Sequence, residues 1–199
     1  MTTFLRRVLW PAFALLLVMT LITGVAYPAV VTAVAQVAFP HQANGSMLVA
    51  KDGRTVGSTL IGQAFSGDSY FWGRPSAAGA TDENPLGYDA SGSAGSNLGP
   101  TNPDLIDRVN DAVATYQAAN PGAPIPVDLV TTSASGLDPD ISPASAEYQV
   151  ARVAAARGMT ADQVRAVVAR HTEQPLFGLL GEPRVHVLEL NLDLDGLLQ

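Results

Sequence analysis

An unbroken apolar stretch opens the chain. Residues 8–40 contain no Asp, Glu, Lys, Arg or His, and Arg6 and Arg7 stand immediately before them. About 20 apolar residues cross the hydrocarbon core of a bilayer, which is roughly 30 Å thick, and residues 8–27 already have that length. Each leucine, isoleucine, valine and phenylalanine in the stretch favours insertion by roughly 0.3 to 0.6 kcal/mol. The pattern therefore predicts a single N-terminal transmembrane helix.

The same stretch also fits a cleaved secretory signal. Such a signal begins with positive charge and an apolar core, and Ala33-Val34-Ala35 before Gln36 matches its small-residue cleavage pattern. A signal core has about 7–15 apolar residues, and because this one is longer, the uncleaved anchor is favoured. Positively charged residues stay in the cytoplasm. In both cases the N-terminus is expected to be cytoplasmic and residues 41–199 to lie outside the inner or plasma membrane, which an uncleaved chain would cross once.

Beyond residues 1–40, which form the N-terminal tail and the anchor, short helical and extended patterns alternate. This predicts one α+β domain over residues 41–199. Asp52-Gly53 between two extended runs predicts a β-hairpin. Three helices are predicted from two cap-plus-proline pairs and one capping box, which are Asn102-Pro103, Ser142-Pro143, and Thr160 with Gln163.

Three further stretches are less regular. Alternating apolar residues over 185–194 predict a strand, and the change of phase at Val187-Leu188 suggests a β-bulge. A short apolar run at 125–130 indicates another strand. Residues 73–100 are rich in Gly, Pro, Ser, Asn and Asp without a hydrophobic period, which predicts a long loop. A loop of that length inside a compact domain is usually functional or disordered.

The charge of the predicted domain restricts its partners. One lysine and eight arginines stand against 18 acids in residues 41–199, which gives a net charge of −9. An acidic surface argues against binding to nucleic acid and against electrostatic binding to anionic lipid. The chain has no cysteine, which excludes disulfides, thiolate catalysis and cysteine-ligated zinc.

Motifs for catalysis and metal binding are largely missing. The three histidines are isolated, no lysine follows the glycine-rich segment as a phosphate-binding motif requires, and no Gly-x-Ser-x-Gly elbow exists. No catalytic residue and no metal ligand is therefore assigned. Two acid pairs, Asp82-Glu83 and Asp138 with Asp140, have the chemistry for acid–base work or calcium binding. Acids in such sequences are more often turn or loop residues.

The segment 91–102 offers a different chemistry. It places many hydroxyls and backbone N–H groups directly before a predicted helix N-terminus, with Ser96 and Asn97 at its centre. Such an arrangement favours anions or a partner's carboxylates. A surface loop that only caps its own helix has the same composition, and the sequence does not separate the two interpretations.

Several long motifs in series resemble the KdpC family, the C subunits of the Kdp potassium-transporting P-type ATPases. The similarity covers nearly the whole chain in the same order, including the single N-terminal anchor. The matching residues are 57–75, 95–102, 135–139 with 141–142, 152–154 with 156–158, and 180–183. Ala134 stands where the family usually has glycine, and His186 where it usually has asparagine.

The resemblance implies a non-catalytic accessory subunit of an ATP-driven potassium importer. Its partners would be a channel-like potassium-binding subunit, a P-type ATPase subunit and a small membrane peptide. The family is described as raising the ATP affinity of the ATPase subunit through a transient complex that includes nucleotide. Gln149 matches a family glutamine linked to that role, so ATP is the implied cofactor, with Ser96 and Asn97 as further candidates from the chemistry of their loop.

The expected orientation bears on this role. ATP is cytoplasmic, whereas the positive-inside rule places Gln149 and residues 91–102 outside the membrane. A role in assembly and activity is therefore favoured over direct nucleotide binding, and the acidic domain would stabilise the potassium entrance or enrich cations there. Two other classes stay open. One is an anchored extracytoplasmic hydrolase that uses Asp138, Asp140 or a loop serine, and the other is a stand-alone binding module.

Overall fold

The N-terminal apolar stretch is one continuous helical segment in the computed structural model, which describes residues 2–81, 84 and 86–198. α1 (Thr2–Leu21) leads through a π-helical turn (Ile22–Ala26) into α2 (Tyr27–Ala38), and the one-turn helix α3 (Pro40–Ala43) follows. Phe4–Ala38 has 35 residues and, by length and composition, is apolar enough to cross a membrane. The prediction of one long apolar N-terminal helix is confirmed.

Pro28 accounts for the π-helical turn. A proline inside a helix lacks the N–H that the ladder needs, and its ring collides with the carbonyl four residues back. The helix widens by one residue, and the Tyr27 N–H bonds to the Ile22 carbonyl five residues back. The Thr23 hydroxyl also donates to the Met19 carbonyl at 2.7 Å. The helical segment therefore continues past Pro28.

The chain divides into two compact units, Met1–Ser46 and Met47–Gln199. In the second unit, two small antiparallel sheets lie among helices. One is the predicted hairpin, and the other has the strand order β3-β5-β4. The strands are β1 (Met47–Val49), β2 (Thr55–Ser58), β3 (Asp140–Ile141), β4 (Thr172–Glu173) and β5 (Arg184–His186). The helices are α4 (Pro103–Ala119), α5 (Pro143–Arg157), α6 (Ala161–Arg170) and α7 (Val187–Leu194). The predicted α+β class is confirmed.

The three capping signals identify their helices correctly. The Asn102 side chain accepts a hydrogen bond from a backbone N–H of the first turn and begins α4, and Ser142 caps α5 in the same way. Thr160 and Gln163 form the reciprocal capping box of α6. At the C-terminal end of α5, Gly158 adopts φ +64°, a left-handed conformation that glycine reaches without strain and that commonly ends helices.

The predicted strand at 185–194 is wrong beyond its first residues. β5 ends at His186, and the chain continues directly into α7. The phase change interpreted as a β-bulge is the start of this helix, which His186 caps by accepting the Glu189 N–H at 3.2 Å. Five of the eight residues of α7 are buried. Because the helix is enclosed on more than one side, its leucines alternate as they would in a strand.

The predicted strand at 125–130 is also wrong, since Val127–Leu129 forms a single 3-10 turn. Pro126 supplies no N–H for a strand ladder. The Asp128 carboxylate accepts hydrogen bonds from the Ser142 N–H and from the Ser145 hydroxyl at the start of α5. The segment is thus tied to a helix N-terminus and not to a neighbouring strand.

The hydrophobic core lies where α5, α6 and α7 meet the second sheet. Its most enclosed apolar side chains come from these elements and from two connecting segments: Phe71, Leu129, Val150, Val153, Val164, Val185 and Leu190. As predicted, residues 73–100 form no helix or strand in the part that the structure describes. The segment still packs onto the domain, because Ala78 is fully buried and the Ser76 hydroxyl donates to the Gly136 carbonyl at 2.6 Å.

Candidate functional site

Gln149 is the centre of a buried hydrogen-bond network. It lies in the middle of α5 with no exposed surface. The Trp72 N–H donates to Oε1 of Gln149 at 2.8 Å, and Nε2 donates to the Trp72 carbonyl at 3.1 Å. Nε2 also reaches the Ser145 carbonyl at 3.3 Å. The amide therefore pairs with the Trp72 backbone much as a neighbouring β-strand would.

Asn191 does the same for the adjoining residue. It is buried in α7, its Oδ1 accepts the Phe71 N–H at 2.8 Å, and its Nδ2 donates to the Phe71 carbonyl at 2.9 Å. Two amides from two helices thus hold consecutive residues of one irregular segment, and Phe71 becomes fully buried. Residues 67–74 are called the clamped segment below.

Two arginines of α5 complete the clamp. The Arg152 guanidinium donates to three carbonyls of the clamped segment at 2.8 to 3.2 Å and to Oε1 of Gln149 at 2.7 Å. It also lies 4.0 Å from the centroid of the Trp72 ring, a cation–π contact. Burial lowers the pKa of Arg152 from its ordinary value. One turn further on, Arg157 donates to the Ser69 carbonyl at 2.6 Å.

An open groove of about 390 Å³ lies between the clamped segment and α4. Its lining includes Trp72 and Tyr116, whose ring centroids are 5.5 Å apart, and Tyr88. Arg108 also lines the groove, and its Nε is buried without a hydrogen-bond partner. The volume is that of a small-molecule site, and the aromatic walls suit a planar or apolar group.

The tyrosines of this groove are held in their neutral form. Burial, together with the nearby Asp138 carboxylate, raises the pKa of Tyr88 to about 12. Burial also raises the pKa of Tyr116. The Tyr88 hydroxyl donates to the Arg74 carbonyl at 2.7 Å, and the Tyr116 hydroxyl donates to the Gly73 carbonyl at 3.3 Å. Both phenols therefore serve as donors that fix the wall of the groove.

Ser96 and Asn97 lie in the loop that precedes α4. Asn97 is exposed and adopts φ +53°, a left-handed conformation that asparagine tolerates better than most residues. Its side-chain amide donates to the Gly95 carbonyl at 3.2 Å. Ser96 is half-buried. The Asn102 side chain at the end of this loop caps α4. At least one polar group of the loop therefore stabilises the adjoining helix and is not available to a ligand.

The three candidate residues do not line one open site in this structure. Gln149 is enclosed, whereas Asn97 is exposed. The Gln149 amide can donate twice and accept twice, and its contacts with the clamped segment, Ser145 and Arg152 account for all four. As placed, Gln149 does not fit a direct ligand of ATP. It fits a residue that positions Trp72 beside the groove.

The acid pairs have structural partners where they are described. The pair at 82–83 lies outside the described residues. Asp138 pairs with Arg74 at 2.9 Å, and Asp140 pairs with Arg184 at 3.2 Å. Burial raises the pKa of Asp140. Within the described part of the chain, no three His, Cys, Asp or Glu side chains are grouped as a metal site would require.

Sequence reasoning missed two features. Asn191 was not singled out, although a neutral amide between Leu190 and Leu192 in an otherwise apolar run indicates a buried polar contact. The second is the exposed apolar run at 176–180, which is bounded by proline and glycine and belongs to no regular hydrophobic period.

The chain is similar to known proteins over almost its full length. A family model described as "KdpC: K+-transporting ATPase, c chain" matches residues 9–196. The chain is 62% identical over 188 residues to the "Potassium-transporting ATPase KdpC subunit" of Sorangium cellulosum, covering 94% of this chain and 96% of that protein. Proteins of the same name from Polaromonas naphthalenivorans and Herpetosiphon aurantiacus are 57% and 54% identical. Those two matches cover 97% and 98% of this chain and 96% and 97% of the relatives.

Proposed function

This chain belongs to the KdpC family, the c chains of K⁺-transporting ATPases, and from that premise we propose that it is a non-catalytic accessory subunit. It is needed for the assembly and activity of an ATP-driven, high-affinity potassium importer. The observation that carries this proposal is the extent of the family match, which includes the apolar helix as well as the domain. A domain that shared only its fold with such subunits would not match through the anchor.

The apolar helix supports a place inside a membrane complex. Large apolar side chains along α1 and α2 are exposed in the single chain, so lipid or neighbouring helices must cover them. Four small residues would let a partner helix approach closely, namely Ala12, Ala14, Gly24 and Ala26. A Cβ built at Gly24 meets only the Thr20 side chain, at 3.9 Å. Among the described residues, then, no contact requires glycine there.

The proposed partners are a channel-like potassium-binding subunit, a P-type ATPase subunit and a small membrane peptide. An anchored domain is held at high effective concentration beside such partners. With its N-terminus cytoplasmic, the domain would lie outside the membrane at the potassium entrance. Its net charge of −9 would stabilise that entrance or raise the local concentration of cations.

An effect of this subunit on ATP affinity is proposed to pass through the ATPase partner. Two arguments support transmission between subunits over contact with nucleotide. The Gln149 amide is enclosed and fully hydrogen-bonded. The expected orientation also places it across the bilayer from cytoplasmic ATP.

Co-purification in mild detergent tests the subunit assignment. A tagged full-length chain, expressed in its native host and extracted from the membrane, is expected to retain the large subunits in fixed stoichiometry. Deleting the gene for this chain should abolish potassium-dependent ATPase activity, and the full-length chain should restore it. A chain that purifies alone from membranes with an active transporter, or whose mature N-terminus is Gln36, would contradict the proposal.

The cysteine-free sequence allows a direct test of orientation. Asp162→Cys introduces a thiol at a side chain that is 93% exposed on α6, and Phe4→Cys places one near the N-terminus. A membrane-impermeant maleimide should label the first variant in intact cells or spheroplasts and the second only after permeabilisation. The reverse pattern would place the domain in the cytoplasm, where direct nucleotide contact becomes accessible.

A further inference from the structure

The connection between β4 and β5 ends in an ordered apolar hairpin. Beyond the paired strands, Leu176 and Leu180 exchange two backbone hydrogen bonds of 3.0 Å each. Only residues 177–179 remain at the turn, and the Gly178 N–H bonds back to the Pro175 carbonyl at 2.8 Å. Residues 176–180 are called the apolar tip. It is held by its own backbone and is not a loose loop.

All four large side chains of the apolar tip are exposed. The exposed fractions are 60% for Leu176, 86% for Phe177, 85% for Leu179 and 64% for Leu180. Single exposed apolar residues are normal on soluble proteins, but a contiguous group marks an interaction site. Because the four lie within five consecutive residues on one hairpin, they can enter one partner surface together.

The backbone of the tip points to the same conclusion. Phe177 has φ +56°, a left-handed conformation that is unfavourable for a bulky side chain and that glycine or asparagine would adopt more easily. Gly178, with φ +71°, follows it. The fold thus keeps an aromatic ring, at a strained position, where solvent surrounds it. A partner that covers the ring explains why a phenylalanine stands there.

We propose that the apolar tip inserts into an apolar socket with a basic rim on another subunit of the potassium-transporting ATPase. This inference rests on the proposed function, which supplies such a partner. Of the two acids beside the tip, Glu173 pairs with Arg184 at 2.6 Å, so the charge that remains there is that of Glu182. Glu182 is exposed, so a basic rim around the socket complements the charge beside the tip.

The charge pattern disfavours two other occupants. Segments that lie on lipid surfaces combine apolar residues with Lys or Arg and often Trp. The tip has none of these, and the domain carries a net charge of −9 that anionic headgroups repel. A second copy of this chain would bring two domains with a net charge of −9 each together. A protein surface of opposite charge is the occupant that fits.

Photocrosslinking in the assembled complex tests the inference. The Phe177→p-benzoylphenylalanine variant, irradiated in native membranes, should give an adduct of this chain with one other subunit of the transporter. Ile106, which is 50% exposed on α4, carries the same photoprobe as a control and should give no such adduct. Adducts only with lipid or with a second copy, or none in an intact complex, would overturn the proposal.

A second variant measures the contribution of the tip to assembly. Phe177→Ser combined with Leu179→Ser should lower retention of this chain in the complex by about tenfold, since apolar anchors dominate interface affinity. Ile106→Ser, on the exposed side of α4, should behave as wild type, and circular dichroism should show both variants folded. If the wild-type chain itself fails to co-purify, the proposed function falls. If wild type and the double variant are retained equally, only the inference about the tip falls.

Discussion

At the scale of single residues, two buried amides replace part of a β-sheet. Gln149 and Asn191 satisfy the backbone groups of Trp72 and Phe71, whose segment pairs with no strand in the part of the chain that the structure describes. A buried backbone group without a partner costs about 1–3 kcal/mol. The irregular backbone of the clamped segment can therefore enter the core only because these side chains reach it.

Replacement of Gln149 tests this role. Gln149→Leu keeps a similar volume but leaves the Trp72 N–H and carbonyl unpaired, so we expect the free energy of unfolding to fall by about 2–4 kcal/mol. Urea denaturation of the variant measures the loss. Glu147→Gln, on an exposed position of the same helix, is the control and should change stability by less than about 1 kcal/mol.

The same variant separates positioning from nucleotide contact. If Gln149 only positions Trp72, complexes that retain the folded subunit should keep the wild-type KM for ATP, and only the maximal rate should fall with the loss of folded subunit. A raised KM for ATP in complexes that contain fully folded Gln149→Leu subunit would contradict this.

Tyr88 makes a pH-dependent contribution of defined sign. Its pKa is raised from 10.0 to about 12, first by burial and then by Asp138, so the folded state holds the phenolic proton more tightly than the unfolded state. The resulting stabilisation is complete below pH 10 and is lost as the pH rises from 10 to 12. We expect a loss of about 2 kcal/mol across that range. In Tyr88→Phe, denaturation between pH 9 and 12 should show a correspondingly shallower decline, and an equal decline in both proteins would refute the assignment.

At the scale of elements, local signals predicted helices well and strands less well. A cap such as Asn102 or the Thr160 capping box acts within one turn, so the sequence alone contains the interaction. The helix α7 was mistaken for a strand because its burial on more than one side imitates alternation. The contact between Gln149 and Trp72 could not be predicted from local sequence signals. The two residues are 77 positions apart, and only the packed fold brings them together.

His186 joins β5 to α7, and two substitutions of different severity test its contribution to stability. Its Nδ1 accepts the Glu189 N–H at 3.2 Å as a helix cap, which leaves Nε2 to donate to the Thr59 carbonyl at 2.6 Å. His186→Ala removes both contacts and should cost about 1–3 kcal/mol. His186→Asn restores a favourable cap but not the second contact, so its loss should be smaller. Thermal denaturation ranks the three proteins, and an Asn variant less stable than the Ala variant would contradict the cap.

At the scale of the whole molecule, charge is the property that the sequence shows most plainly. Asp104, Asp107 and Asp111 are exposed along α4 at a spacing that places them on one side of the helix. If the acidic domain enriches cations at the potassium entrance, converting all three to asparagine should raise the potassium concentration for half-maximal ATPase activity about twofold at low ionic strength. The difference should vanish at high salt.

The control variant for this experiment has the same change in charge at another place. Asp52, Glu147 and Glu173 pair with three different arginines, and converting them to asparagine or glutamine removes three negative charges that are already compensated locally. This variant should shift the potassium dependence less than the α4 variant does. Unchanged potassium affinity of the α4 variant at low salt would rule out the electrostatic role.

The π-helical turn at Ile22–Ala26 sets the angular phase between the two halves of the apolar helix. Successive residues of an α-helix are about 100° apart around its axis. One extra residue in a turn therefore rotates the side chains of α2 away from the rows that the side chains of α1 form along the helix. A neighbouring helix that follows a row along α1 therefore meets a different row on α2. Deleting Thr23 within the turn would realign the two rows without removing an apolar side chain. Such a deletion would leave the helix long and apolar enough to cross a membrane, whereas a partner helix packed along both halves would lose its fit.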